Sequence, residues 1–156
     1  MRVALVERPL DPTALLAEVA DVAHGASALF VGTVRAVNDG RAVTGIDYSA
    51  YVAMAERELA AIAAEVVAAC GTPALVVEHR LGHLALGEAS VVVAAAHAHR
   101  APALDAVRQV IEAMKRRVPI WKQEHYADGT REWVDPTRAS GATPDAGAPR
   151  SVGASR

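Results

Sequence analysis

The stretch LVVEHRLGHLALGEASVVVAAAHAHR, residues 75–100, decides the fold. Leu75 to Arg80 and Glu88 to His99 are apolar runs rich in β-branched residues and read as strands. The glycine-containing link Leu81 to Gly87 makes them antiparallel neighbours. From Pro102 the period changes: Leu104, Val107, Ile111, Met114 and Val118 share one helical face, and Pro119 stops the helix. Ile120 to Tyr126 and Arg131 to Val134 then form a short hairpin around Asp128-Gly129.

Toward the N-terminus the same alternation of element types continues. Arg2 to Val6 is a strand, and Asp11-Pro12 supplies an N-cap and first position for a helix from Pro12 to about Ala23, with Leu15, Leu16, Val19 and Val22 on one stripe. Gly25 ends it. Ser27 to Val37 and Val43 to Tyr51 are strands on either side of Asn38-Asp39-Gly40, a turn expected to be exposed and mobile. Ala53 to Cys70 is an alanine-rich amphipathic helix closed by Gly71. Strands and helices mixed with antiparallel hairpins give an α+β fold class, a single domain of largely antiparallel sheets with packed helices. That domain is expected over residues 1–138, and 139–156, an Ala/Gly/Pro/Ser/Thr tail without bulky apolar residues, is expected to be disordered.

Composition narrows the function. In 156 residues, 52% hydrophobic content suffices for a core, but the longest apolar stretches are too short to span a membrane. The first nine residues bring charge and proline in too early for a secretory signal, so a cytoplasmic protein is expected. A net charge of −2 gives no global field for nucleic acid, and the single Cys70 offers neither a disulfide nor a zinc pattern. Any anion must therefore be held by a local cluster of cations.

Three clusters qualify. Met114-Lys115-Arg116-Arg117-Val118-Pro119-Ile120-Trp121-Lys122-Gln123-Glu124 crosses from a helix end into a strand, and a proline break there can turn Lys115 and Lys122 toward one space. A lysine holds an anion, or acts as base or nucleophile when desolvated beside other cations, whereas an isolated Lys-Arg-Arg run is ordinarily a solvated helix end. His97-Ala98-His99-Arg100 puts two histidines on one strand face, but no carboxylate nearby in sequence completes a ligand set, and no metal is expected. Arg100, before a helix start, suits an anion instead. Phe30-Val31-Gly32-Thr33-Val34-Arg35 ends in an arginine that is read either as an edge charge or as a group aimed into a pocket.

The elements Phe30-x-Gly32-x-Val34-Arg35, Tyr48-x-x-Tyr51, His79-Arg80-x-Gly82, His99-Arg100 and Lys115-x-x-x-Pro119-Ile120-Trp121-Lys122-x-Glu124 resemble, in the same order, those of molybdopterin synthase catalytic subunits. They cover residues 3 to 138, with two departures. Ser49 stands where the family usually has an acidic residue, and Arg138 is a candidate, of uncertain register, for an arginine that follows the tryptophan matching Trp133.

The resemblance implies the α/β-hammerhead fold and a sulfurtransferase without bound cofactor. Its sulfur comes from the C-terminal glycine thiocarboxylate of a small ubiquitin-like partner, and its acceptor is cyclic pyranopterin monophosphate. It implies Lys115 as principal catalytic lysine with Lys122 in support, Arg35 holding the pterin or partner tail, and His99 and Arg100, with Arg138, binding substrate. It further implies a homodimer within a heterotetramer, in which a site draws groups from both catalytic subunits. The rival readings are a non-catalytic scaffold for a ubiquitin-like tail and a metal-dependent hydrolase built on His79, His83, His97 and His99. Trp121 and Trp133 are expected as core residues or interface anchors.

Overall fold

The computed structural model describes residues 1–134. The tail expected from residue 139, the boundary at 138 and Arg138 itself lie outside the described residues.

The chain runs β1 (Arg2–Val6), α1 (Pro12–Val19), β2 (Ala26–Thr33), β3 (Val37–Asn38), β4 (Arg41–Ala50), α2 (Val52–Cys70), β5 (Ala74–Arg80), β6 (Gly82–Ala85), β7 (Ala89–His97), α3 (Arg100–Arg117), β8 (Ile120–Tyr126) and β9 (Arg131–Val134). One sheet has the order β1-β5-β7-β2, antiparallel except for the parallel β1–β5 pair. The second has the order β3-β4-β8-β9, with β6 also paired to β4. The α+β class is as expected.

The central strands of the first sheet explain why residues 75–100 are so uniformly apolar. Leu75, Val77, Val91, Val93 and Ala95 face α2 and α3 in the main core, while Val76, Val92, Ala94 and Ala96 face Leu15 and Val19 of α1. A strand covered on both faces needs apolar residues at every position. A third cluster, Val34, Val43, Ile46, Leu84 and Tyr126, lies under the second sheet.

Four local expectations are corrected. The first helix stops at Val19 rather than Ala23: its buried residues are Leu15 and Val19, and Val22 is fully exposed, so no packing extends it. The link between β5 and β7 contains β6, which leaves the first sheet to pair with β4. On α3 the buried side is Ala103, Ala106, Val107, Val110, Ile111 and Met114, and Leu104 points to solvent. Asn38-Asp39-Gly40 is the tight turn between β3 and β4, with Asp39 and Gly40 at positive φ (47° and 76°), and Asn38 is buried rather than exposed.

Candidate active site

Pro119 builds the site. It lacks an N–H and disfavours helical backbone at the residue before it, so Val118 is extended (φ −79°, ψ 124°) and β8 starts at Ile120. Lys115 on the last turn of α3 and Lys122 on β8 thereby reach the wall of one cavity. Its volume is about 790 Å³, and it lies between the edge strand β2, strands β4 and β8, and the end of α3. Phe30, Ile46, Val91, Ile111 and Met114 give it an apolar lining. Arg35, Lys115, Arg116 and Lys122 supply cations, against Glu112 and Glu124. Arg117 turns away and pairs with Glu58 and Glu65 of α2.

Glu124 organises this charge. Its side chain is buried and accepts from Lys122 Nζ at 3.0 Å, Asn38 Nδ2 at 2.8 Å and the Tyr126 hydroxyl at 2.7 Å. Asn38 Oδ1 in turn accepts from Arg35 Nη2 at 2.5 Å. Burial alone would push the Glu124 carboxyl upward, but the hydrogen bonds from Tyr126, Lys122 and Asn38 outweigh it and hold the group below the usual glutamate range. Lys122 is thus held in place beside the Glu124 carboxylate. Lys115 is exposed and has no ion-paired or hydrogen-bonded side-chain partner among the described residues.

His79 also lines the cavity, with Nδ1 2.9 Å from the Arg80 carbonyl and its ring edge-on to Tyr48 at 5.1 Å. Burial pushes its pKa down to about 4, so it is neutral near neutral pH. Gly32 is needed for close approach: a Cβ there would lie 2.7 Å from Val91 Cγ1, beside the bulge between Gly32 and Thr33.

Of the residues expected to act, the structure brings Arg35, Lys115 and Lys122 together and leaves His99 and Arg100 apart from them. His99 is the N-cap of α3 and Arg100 its first residue. Fifteen helical rises separate Arg100 from Lys115, about 22 Å at about 1.5 Å each. The His99 side chain makes no capping bond, and this helix end stays open to an anion. Trp121 and Trp133 are exposed, which overturns core packing for both. Cys70 is half-buried at the end of α2, accepting from Gln109 Nε2 at 3.4 Å. Burial, then the nearby Asp105, pushes its thiol up and makes it a poor nucleophile. The four histidines of the hydrolase reading do not converge: His79 is in the cavity, His97 sits beside His99, and His83 is on another face with His125.

Sequence reasoning missed Asn38, Glu124 and Tyr126 as site residues. Glu124 carried a signal, because alternation puts it on the Lys122 face of β8. Asn38 carried none beyond a turn propensity.

The family described as MoaE protein matches residues 5–117. Similar curated proteins include the molybdopterin synthase catalytic subunit of Oryza sativa subsp. indica, 48% identical over 145 residues, covering 90% of this chain and 75% of the relative. The subunit of the same description from Emericella nidulans is 38% identical over 133 residues, 85% of this chain and 68% of the relative. Among solved structures, molybdopterin synthase from Staphylococcus aureus superposes with a TM-score of 0.78 at 32% identity, covering 83% of this chain and 94% of that one. A complex of subunits 1 and 2 of molybdopterin-converting factor from Helicobacter pylori gives 0.69 at 25% identity, covering 84% and 88%.

Proposed function

The chain belongs to the MoaE family, the catalytic subunits of molybdopterin synthase, an enzyme of molybdenum cofactor biosynthesis, and from that premise we propose how its cavity transfers sulfur. The donor is the C-terminal glycine thiocarboxylate of a small ubiquitin-like partner, and the acceptor is cyclic pyranopterin monophosphate. The relative from Helicobacter pylori is a complex of two subunits, which supports a partner of this kind.

The observation that carries the reading is that two lysines from opposite sides of Pro119 share one cavity but, among the described residues, only Lys122 has a carboxylate partner. Lys122, tied to Glu124, is a fixed positive charge. Lys115 is free to meet the incoming glycine terminus. Donor and acceptor are both anionic, so cations on both sides offset their repulsion and stabilise the negative charge that develops on the acyl oxygen. The thiocarboxylate sulfur forms a C–S bond to the pterin as a pterin C–O bond breaks and its oxygen leaves as water; a second water then breaks the acyl C–S bond, so sulfur stays on the pterin and the glycine is released as a carboxylate. Arg35, held by Asn38, binds the tail or the pterin in this reading.

His99 and Arg100 are the phosphate anchors in this reading, and a separation of about 22 Å along α3 prevents one chain from applying them and Lys115 to the same small substrate. A second copy of the chain supplies them, which gives a homodimer with one small partner on each side. Co-expressing Lys115→Ala and Arg100→Ala chains tests this. Random pairing of the two chains in a two-fold dimer restores one intact site in each mixed dimer, or about a quarter of all sites. Recovery of turnover above either single variant is expected, and none at all would refute the shared site.

A further inference from the structure

The outer face of the second sheet carries a cluster the cavity does not use. Tyr48, Lys122 and Glu124 face inward, and alternation turns Asp47 of β4 and His125 of β8 outward. The β4–β6 ladder sets His83 directly opposite Asp47, and the β4–β8 ladder sets His125 opposite Gly45. His83 Nδ1 lies 2.7 Å from Asp47 Oδ1, and His125 Nε2 lies 2.7 Å from Asp47 Oδ2. One ligand atom from each residue falls within 4.8 Å of the others. Gly45 makes room for the rings, since a Cβ there would stand 2.9 Å from His83 Cε1.

We propose that Asp47, His83 and His125 form a binding site for a divalent transition-metal ion of the zinc class, with the remaining coordination positions open to water. Two imidazoles and one carboxylate are the donor set such ions take, whereas calcium and magnesium require mostly oxygen. The three donors come from three strands whose backbones are fixed by ladder hydrogen bonds, so the site is largely pre-formed. The present N···O distances of 2.7 Å are those of hydrogen bonds. Bonds of about 2.0 to 2.2 Å to a tetrahedral ion place neighbouring ligand atoms about 3.3 Å apart, so each imidazole withdraws by about half an ångström and loses its bridging proton. His83 is mostly exposed and has space to do so. An ion here clamps β4, β6 and β8 on the back of the strand that carries Lys122. The site stands independently of the sulfur-transfer reading.

The test uses the full chain stripped with chelator, then titrated with Zn²⁺ by equilibrium dialysis and with Co²⁺ by visible absorption. Saturable binding of one ion per chain, tetrahedral Co²⁺ bands and a rise in Tm are expected. His83→Ala and His125→Ala should each lose at least about ten-fold in affinity, the lower end of what loss of even an outer-shell partner costs. His97→Ala should change nothing. His83→Gln serves as a second, less disruptive variant, and melts in chelator report whether each variant is folded. Absence of saturable binding at micromolar ion, or binding that survives loss of both His83 and His125, overturns the site and leaves a His–Asp–His hydrogen-bonded bridge in its place.

Discussion

Glu124→Gln removes one charge from the cavity wall while keeping its shape, and the cost follows from the surrounding bonds. Glu124 Oε2 accepts from Asn38 and Tyr126, and Oε1 accepts from Lys122. An amide offers one acceptor oxygen and one NH₂. If the NH₂ takes the Oε2 place it meets Asn38 Nδ2, and Asn38 cannot turn over because its Oδ1 accepts from Arg35. If the NH₂ takes the Oε1 place it meets the Lys122 ammonium. The second arrangement is cheaper: it loses one ion pair and weakens two charge-assisted bonds to neutral ones. With a bond to a charged group worth about 1.5 to 3 kcal/mol and a neutral one about 1 kcal/mol, each weakened bond loses about 0.5 to 2 kcal/mol and the lost ion pair about 1.5 to 3, so the loss is about 2.5 to 7 kcal/mol. The sign of the pH dependence is set by the downward shift of Glu124. A carboxyl whose folded pKa is depressed contributes its full stability above the unfolded value and loses it as pH falls through the lower folded value. The deficit of the glutamine variant is therefore complete at neutral pH and narrows on acidification below the ordinary glutamate range near about 4.3. Urea unfolding of both proteins across that range measures it. A deficit under about 1 kcal/mol at neutral pH, or one that does not narrow in acid, would refute the network as drawn.

Four further outcomes are expected. Lys115→Ala should lower single-turnover sulfur transfer by on the order of 10² or more while leaving pterin affinity nearly unchanged. Arg100→Ala should instead weaken pterin binding roughly ten- to a hundred-fold in an equilibrium titration, with more residual turnover at saturation than Lys115→Ala. Cys70→Ala should transfer sulfur normally with thiocarboxylated partner, because the thiol is part-buried and pushed up; abolished transfer in a folded variant would sink the partner-donor reading. Truncation before Ala139 should preserve soluble expression and turnover, as a composition without bulky apolar residues leads one to expect.

Element types were readable wherever one chemical period dominated. The strands at 75–80 and 89–97 each have a dominant apolar pattern, and the helices ending at Cys70 and Arg117 have an uninterrupted period with a Gly or Pro just beyond it. Errors fell where packing rather than period decides. Val22 continues the stripe of α1 in sequence but has nothing to cover it. Gly82 to Ala85 is too short to announce itself as a strand, and it forms because β4 offers an open edge. Asn38 has the chemistry of an exposed turn residue, yet Glu124, 86 positions away, gives its amide a buried partner. A single sequence contains no measure of that pairing.

The same limit explains which parts of the candidate site were legible. Lys115 and Lys122 were found because Pro119 lies between them, and the consequence of a proline for the chain direction is local. Arg35 belongs with them only because β2, β3 and β4 bring the Asn38 turn against β8, which is a matter of topology. His99 and Arg100 failed to join the cavity for an equally simple reason: α3 begins at Arg100 and Lys115 lies near its other end, and its eighteen residues span about 27 Å at about 1.5 Å each. In the roles proposed above, phosphate anchors at the start of α3 and a catalytic lysine near its end cannot serve one substrate within a chain, whereas a two-fold axis setting the start of one α3 near the end of its mate's would make them neighbours twice over. The length of that helix is therefore itself an argument that the functional unit is more than one chain.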